Sequence, residues 1–275
     1  MTTEARPLLI CADDYGLTDG ICDAIIDLVS FARLSAIGVR AGGAVFAQRA
    51  GEIAALDRSV ALGLVLDLAP LAGGRAAFAA RALVGALDRD VLAAAIERDL
   101  DAFEARIGRP PDFLGSPSED HVLPTIRGAL FAVLERRRGR LPAPFLRDPT
   151  ERIGAVLRRG VSRPAALARN ALAAGFAARA RRRGFAVNNG YAGYWRRNVP
   201  VPVPTLFERH VVGLAAGRRR AAPLLVCRPG YRDDALDRLD PDAQVRVEEL
   251  MYLSSTRFTN LWEALRLVPT PHPVG

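Results

Sequence analysis

Pro7-Leu-Leu-Ile-Cys-Ala-Asp13-Asp14-Tyr15-Gly16 is the stretch on which the reading of this chain turns. Its first six residues are a continuous apolar run of strand length, and a run without polar alternation fits a strand buried on both faces. Two carboxylates and a glycine then punctuate it. Just beyond, Asp19 stands where it can cap a helix whose Ile21, Ala24, Ile25, Leu28 and Val29 form an apolar stripe at helical spacing. Strand, polar turn and amphipathic helix make one β/α unit.

The alternation continues along the chain. Residues 36–39, 59–66, 113–114, 185–187 and 224–227 read as strands, and 144–147 is a further short segment without assignment. Residues 45–56, 90–107, 125–138 and 241–253 read as helices, with Gly108 closing the second and Pro241 suited to the first turn of the last. Residues 151–183 read as mainly helical, interrupted at 160–164. Strands that alternate with helices build parallel β/α units, closed as a barrel or open as a doubly wound sheet. In both, chemistry gathers at the C-terminal strand ends, where Asp13 and Asp14 lie. No glycine-rich nucleotide fingerprint follows the first strand. The chain of 275 residues shows no repeat of fixed period and no long linker, so 1–275 reads as a single α/β domain.

Composition narrows the function classes. No apolar stretch approaches the roughly 20 residues that cross a bilayer, and residues 1–7 lack a signal-peptide layout, which predicts a cytoplasmic protein. Cys11, Cys22 and Cys227 are too few and too scattered for a disulfide framework or zinc site. All 38 basic residues are arginine. Residues 127–220 hold 21 of them against four acids, a net +17, while the rest of the chain is net −9. This Arg-rich helical middle predicts either an anionic neighbour or a solvated basic face. Residues 163–183, with Leu167, Leu172 and Phe176 among the arginines, permit a helix lying on an anionic membrane surface, peripheral at the inner face; they equally permit a basic outer helix. Aromatics barely interleave with the arginines, so nucleic acid is not expected as a partner.

Four segments, in order, resemble the YdjC-like carbohydrate deacetylases. Ala12-Asp-Asp-Tyr-Gly16 is similar to the family's A-D-D-(F/Y)-G opening, and Leu62-Gly-Leu-Val-Leu-Asp-Leu68 is placed like its G-L-H-L-T-L. Residues 108–124 match the frame of G-x-x-P-x-x-(L/I)-D-S-H-x-H-x-H-x-x-P. Arg228-Pro-Gly-Tyr231 followed by Arg246-Val-Glu-Glu-Leu250 is similar to H-P-G-Y and R-x-x-E-L. The resemblance spans about 240 residues by the span of these motifs. It implies a distorted, TIM-like (β/α) barrel and metal-dependent removal of acetyl groups from N-acetylated amino sugars. Asp13 would be the general base and Asp14 a metal ligand, with the cation polarising the amide and lowering the pKa of its water.

The departures from these motifs fall on chemically demanding positions, the implied metal-binding histidines among them. Val65 stands at the family's G-L-H-L histidine, and Pro117 and Glu119 at the first two histidines of the H-x-H-x-H run. Gly115 replaces the aspartate of D-S-H and Arg228 the histidine of H-P-G; His121 alone is kept. Two outcomes follow. In a rebuilt site, Asp14, Asp67, Glu119 and His121 would hold Mg²⁺ or Mn²⁺ in preference to Zn²⁺. In a lost site, with no metal, Arg228 would neutralise the carboxylate pair without supplying an activated water, leaving a catalytically inactive barrel that binds a saccharide or lipid-linked sugar. Tyr15, Asn189, Tyr194 and Trp195 are the candidate substrate contacts, the last three from a loop of amides, glycines and aromatics that can also be read as an ordinary turn.

Overall fold

The apolar run at the start of the chain becomes the middle of a sheet. In the computed structural model, which describes residues 5–139, 142–193, 201–216 and 222–273, β1 spans Arg6–Tyr15 and carries both carboxylates within the strand. The other strands are β2 (Ala36–Val39), β3 (Ala61–Val65), β4 (Phe113–Gly115), β5 (Phe145–Leu146), β6 (Tyr191–Ala192), β7 (Leu224–Cys227) and β8 (Leu267–Pro269). Their order is β5-β4-β3-β2-β1-β7-β6, with parallel pairing throughout, and β8 pairs with the start of β1. An isolated parallel bridge from Leu146 to Val187 brings the chain ahead of β6 back to β5. The parallel sheet thus curls into a half-barrel, and the molecule is a single α/β domain with the distorted (β/α) barrel architecture.

Helices cover the outside of the curl. They are α1 (Asp19–Ser30), α2 (Ala44–Ala54), α3 (Arg75–Leu83), α4 (Arg89–Ile107), α5 (Pro124–Arg136) and α6 (Ile153–Arg159), then α7 (Arg163–Leu172), α8 (Phe176–Arg182), α9 (Val203–Ala215), α10 (Asp234–Leu239), α11 (Ala243–Ser254) and α12 (Thr256–Ala264). None among the described residues is long and apolar enough to cross a membrane. The cap of α1 is Thr18, whose hydroxyl accepts from the Ile21 amide, and Asp19 sits one place later in the first turn. Pro241 lies ahead of α11, outside its first turn. The strand expected at 185–187 is reduced to the single bridge at Val187. Phe176 faces inward, fully buried against His121 and Phe131, so it is unavailable to a membrane.

Strand alternation separates two apolar layers. Leu8, Ile10 and Ala12 of β1 face the helices, within the larger core. Leu9 and Cys11 face the barrel interior, in a smaller cluster with Ala36, Ala61, Phe113, Phe145 and Tyr191. The interior is narrow, and glycine makes its room. A Cβ on Gly63 would meet the Phe113 ring at 2.2–2.3 Å, and one on Gly38 would meet Asp13 Oδ1 at 2.1 Å. The interior rows end at the C-terminal mouth with Asp13, Val65, Gly115 and Arg147, two residues beyond Cys11, Gly63, Phe113 and Phe145.

Candidate functional site at the mouth of the barrel

Asp13 continues the interior row of β1, is 1% exposed, and lies opposite the guanidinium of Arg147, which is wholly buried. Arg147 Nη1 donates to Asp13 Oδ2 at 2.8 Å and Nη2 to Oδ1 at 2.5 Å, so both carboxylate oxygens are held. Nη2 also reaches Cys11 Sγ at 2.9 Å, and the guanidinium stacks 4.7 Å from the centre of the Phe113 ring. Its path is cleared by Gly115, where a Cβ would lie 2.5 Å from Arg147 Cδ. The glycine at 115 and the inward course of the Arg147 side chain therefore require each other.

Asp14 is built differently. It sits at an irregularity in the β1–β2 pairing, in the left-handed region at φ +77°. Arg246 Nη2 donates to its Oδ2 at 2.7 Å, Arg40 Nη1 stands 3.8 Å from Oδ1, and Arg228 Nε stands 3.9 Å from Oδ2. Burial pushes the Asp14 carboxyl up, but these three cations outweigh it and hold the group well below the usual carboxylate range. Arg228 therefore approaches Asp14, while the partner of Asp13 is Arg147. Arg228 also donates to the Pro117 carbonyl, and its backbone N–H donates to Glu249 at 2.6 Å.

The four candidate ligands do not come together. His121 is buried with both ring nitrogens engaged. Nε2 lies 2.7 Å from the Arg147 carbonyl, which can only accept, so Nε2 carries the proton and Nδ1 accepts from Ser116 Oγ at 3.0 Å. Burial lowers the His121 pKa to about 4, favouring the neutral ring. Glu119, in the left-handed region at φ +59°, accepts from the Tyr191 hydroxyl at 2.9 Å. Its Oε2 is buried without a hydrogen-bond partner and stands 3.7 Å from His121 Nδ1. Burial pushes its pKa up to about 7, against the pull of Arg147, with Asp13 adding to the rise. Asp67 instead bonds Arg40 at 2.6 Å. Val65 and Pro117 carry no donor. Among the described residues no group of three or more His, Cys, Asp or Glu side chains is placed to hold a metal ion. The donor set present does not fit a divalent cation.

The open part of the mouth lies over β1–β3. A cleft of about 350 Å³ is lined by Arg40, Asp67, Arg98 and Asp99 together with the Gly42-Gly43 turn ahead of α2. Tyr15 is absent from it: the ring is buried, and its hydroxyl donates to the Arg49 carbonyl and lies 3.0 Å from Glu52. The Asn189 backbone N–H donates to the Ala222 carbonyl at 3.2 Å, which ties that residue to the chain just ahead of β7. Its neighbour Asn188 accepts from the Asp148 amide and donates to the Asp148 and Gly190 carbonyls, splicing the irregular chain ahead of β6 onto β5. Tyr194 and Trp195 lie outside the described residues.

A family profile described as YdjC-like protein matches residues 7–264. The chain belongs to the YdjC-like family. No curated protein matches it. Among solved structures, a candidate cellobiose-phosphate cleavage protein from Enterococcus faecalis superposes with a TM-score of 0.70 at 14% identity, covering 97% of both chains. A peptidoglycan N-acetylglucosamine deacetylase in complex with an N-oxidanyl-benzamide is similar at a TM-score of 0.50 and 11% identity, over 98% of this chain and 87% of that one. At these identities the likeness is one of fold. Against the YdjC-like pattern, the residues that sequence reasoning missed are Arg147, which follows a two-residue strand and belongs to none of the quoted motifs, and Arg40, one residue beyond β2. Arg246 was in view as the R of R-x-x-E-L, but nothing in its spacing indicates contact with Asp14.

Proposed function

We propose that this YdjC-like protein binds a saccharide at the mouth of its barrel without carrying out metal-dependent deacetylation. The observation behind this reading is the Arg147–Asp13 pair. A general base must be reached by the water it deprotonates, and here the carboxylate is buried and each of its oxygens already receives a hydrogen bond from a buried guanidinium. A guanidinium is a fixed cation that cannot lower the pKa of a coordinated water. The two nitrogens of His121 are likewise spent on Ser116 and the Arg147 carbonyl.

Ligand space is retained on the other side. Arg40, Asp67, Arg98 and Asp99 offer planar polar groups suited to sugar hydroxyls, and the Gly42-Gly43 turn lets a ring approach the backbone closely. The named substrates of the two structural neighbours are saccharides, which favours an N-acetylated glucosamine oligomer or a glycolipid headgroup as the occupant. Titration calorimetry with N-acetylglucosamine oligomers, before and after chelation, tests the proposal alongside elemental analysis of protein equilibrated with Mg²⁺, Mn²⁺ and Zn²⁺. Binding that survives chelation, with neither stoichiometric metal nor released acetate, is the expected result. Stoichiometric metal and acetate release, both lost in Asp14→Asn, would overturn it.

A further inference from the structure

Helix α7 is amphipathic the wrong way round for a helix facing water. Its polar side chains turn inward: Arg169 Nη1 donates to Glu151 Oε1 at 3.1 Å, and Asn170 bonds the Glu151 backbone through both amide atoms at 2.8 Å. Its exposed positions are Pro164, Ala165, Leu167, Ala168, Ala171 and Leu172, with Arg163 at the leading end. Leu167 is 42% and Leu172 46% exposed. Helix α6, packed beside it, adds Ile153 and Leu157, 61% and 51% exposed. Arg163 Nη2 donates to the Leu157 carbonyl at 2.7 Å and fixes the end of α6 against the start of α7. Surface leucines occur singly on many proteins, but here they recur on two joined helices, and the face of one is apolar apart from its first residue.

The surroundings are basic. Residues 152–183 contain nine arginines and no acid, and Arg158, Arg163, Arg179, Arg181 and Arg182 are exposed. Burial together with the fields of Arg179 and Arg183 lowers the pKa of Arg127, a sign that like charges crowd the neighbouring α5–α8 side. We propose that the α6–α7 face docks on an anionic membrane surface, with α7 lying in the headgroup plane, its aliphatic side chains in the acyl boundary and the flanking arginines on lipid phosphates. A second copy on the same face would bring two arginine rims together across the contact. Nucleic acid would leave the aliphatic face without a partner, since stacking on bases is done by aromatics. This inference is independent of what the barrel mouth binds.

Co-sedimentation with phosphatidylcholine vesicles, with and without phosphatidylglycerol, tests it. The full-length protein should pellet with the anionic vesicles at low salt and leave them at high salt. Leu167→Glu with Leu172→Glu should weaken that binding about tenfold or more, as should Arg158→Gln with Arg163→Gln and Arg182→Gln. Near-UV circular dichroism of the first variant should match the wild type, because the replaced side chains project from the surface. No pelleting with anionic vesicles, equal pelleting with neutral ones, or wild-type binding by the folded leucine variant would each overturn the proposal. So would a dimer in sedimentation velocity that the same variant dissociates.

Discussion

The two halves of the barrel mouth have opposite constructions. Over β4, β5 and β6 the space is filled by the protein's own polar side chains: Arg147 on Asp13, His121 on Ser116 and the Arg147 carbonyl, and Tyr191 on Glu119. Over β1, β2 and β3 the cleft remains, and its polar groups are partly solvated, Asp67 being 32% exposed at its side chain. In the filled half, polar residues serve the fold. In the open half they pair with one another along the wall of a cleft, where the saccharide is proposed to bind, and substitutions should separate the two.

The largest effect is expected at Arg147. Arg147→Met leaves the Asp13 carboxylate buried without its counter-charge and should cost about 3–5 kcal/mol in urea unfolding. Asp13→Asn added to it should recover most of that loss, because no uncompensated charge is left. A single variant that melts like the wild type would break the comparison.

Next in size is a pH effect in which Glu119 and His121 act in opposite directions. Between about 4 and 6.5 the unfolded chain protonates His121 and the folded one does not, so this residue makes stability rise with pH. Between 4.5 and about 7 the folded chain keeps a proton on Glu119 that the unfolded chain has lost, so this residue makes stability fall as pH rises. The two slopes oppose each other over 4.5–6.5. Glu119→Gln removes only the second, and its stability relative to wild type should climb by about 3 kcal/mol from the lower to the upper end of the Glu119 window. Parallel curves for the two proteins, measured by denaturant titration across pH, would show that Glu119 is not protonated in the folded chain.

The smallest change in stability belongs to the open half. Arg40→Met frees Asp67 to water and removes one of the three cations facing buried Asp14, and should cost about 2 kcal/mol, while weakening saccharide binding in calorimetry by about tenfold through one lost charged hydrogen-bonding group. Loss of stability without loss of binding would place Arg40 with the filled half.

Much of this arrangement was legible in the residues. The apolar run 7–12, the Leu224–Cys227 strand and the helix from 90 to 107 were clear because periodicity and punctuation agree there. Asp88 caps that helix and Gly108 ends it in the left-handed region at φ +73°. The two-residue strands β5 and β6 carry too few positions for a period, and their pairing is set by neighbours far along the chain. At the site, the departures from the motifs that the sequence resembles, at Val65, Gly115, Pro117, Glu119 and Arg228, could be read directly as residues. What took the vacated space could not, because Arg147 reaches Asp13 across 134 residues and one arginine among 38 carries no mark of that pairing.

The left-handed backbone at Asp14 has its own consequence. At φ +77° most side chains are strained, and glycine, asparagine and aspartate are the residues that adopt the conformation readily. Of these only aspartate also answers the charge of Arg246, Arg40 and Arg228. The second aspartate of the opening motif therefore has a conformational reason to be there that is separate from any chemistry. An aspartate at a strand end can thus be fixed by its own peptide geometry as well as by the charges around it, so its presence alone does not count as evidence of catalysis.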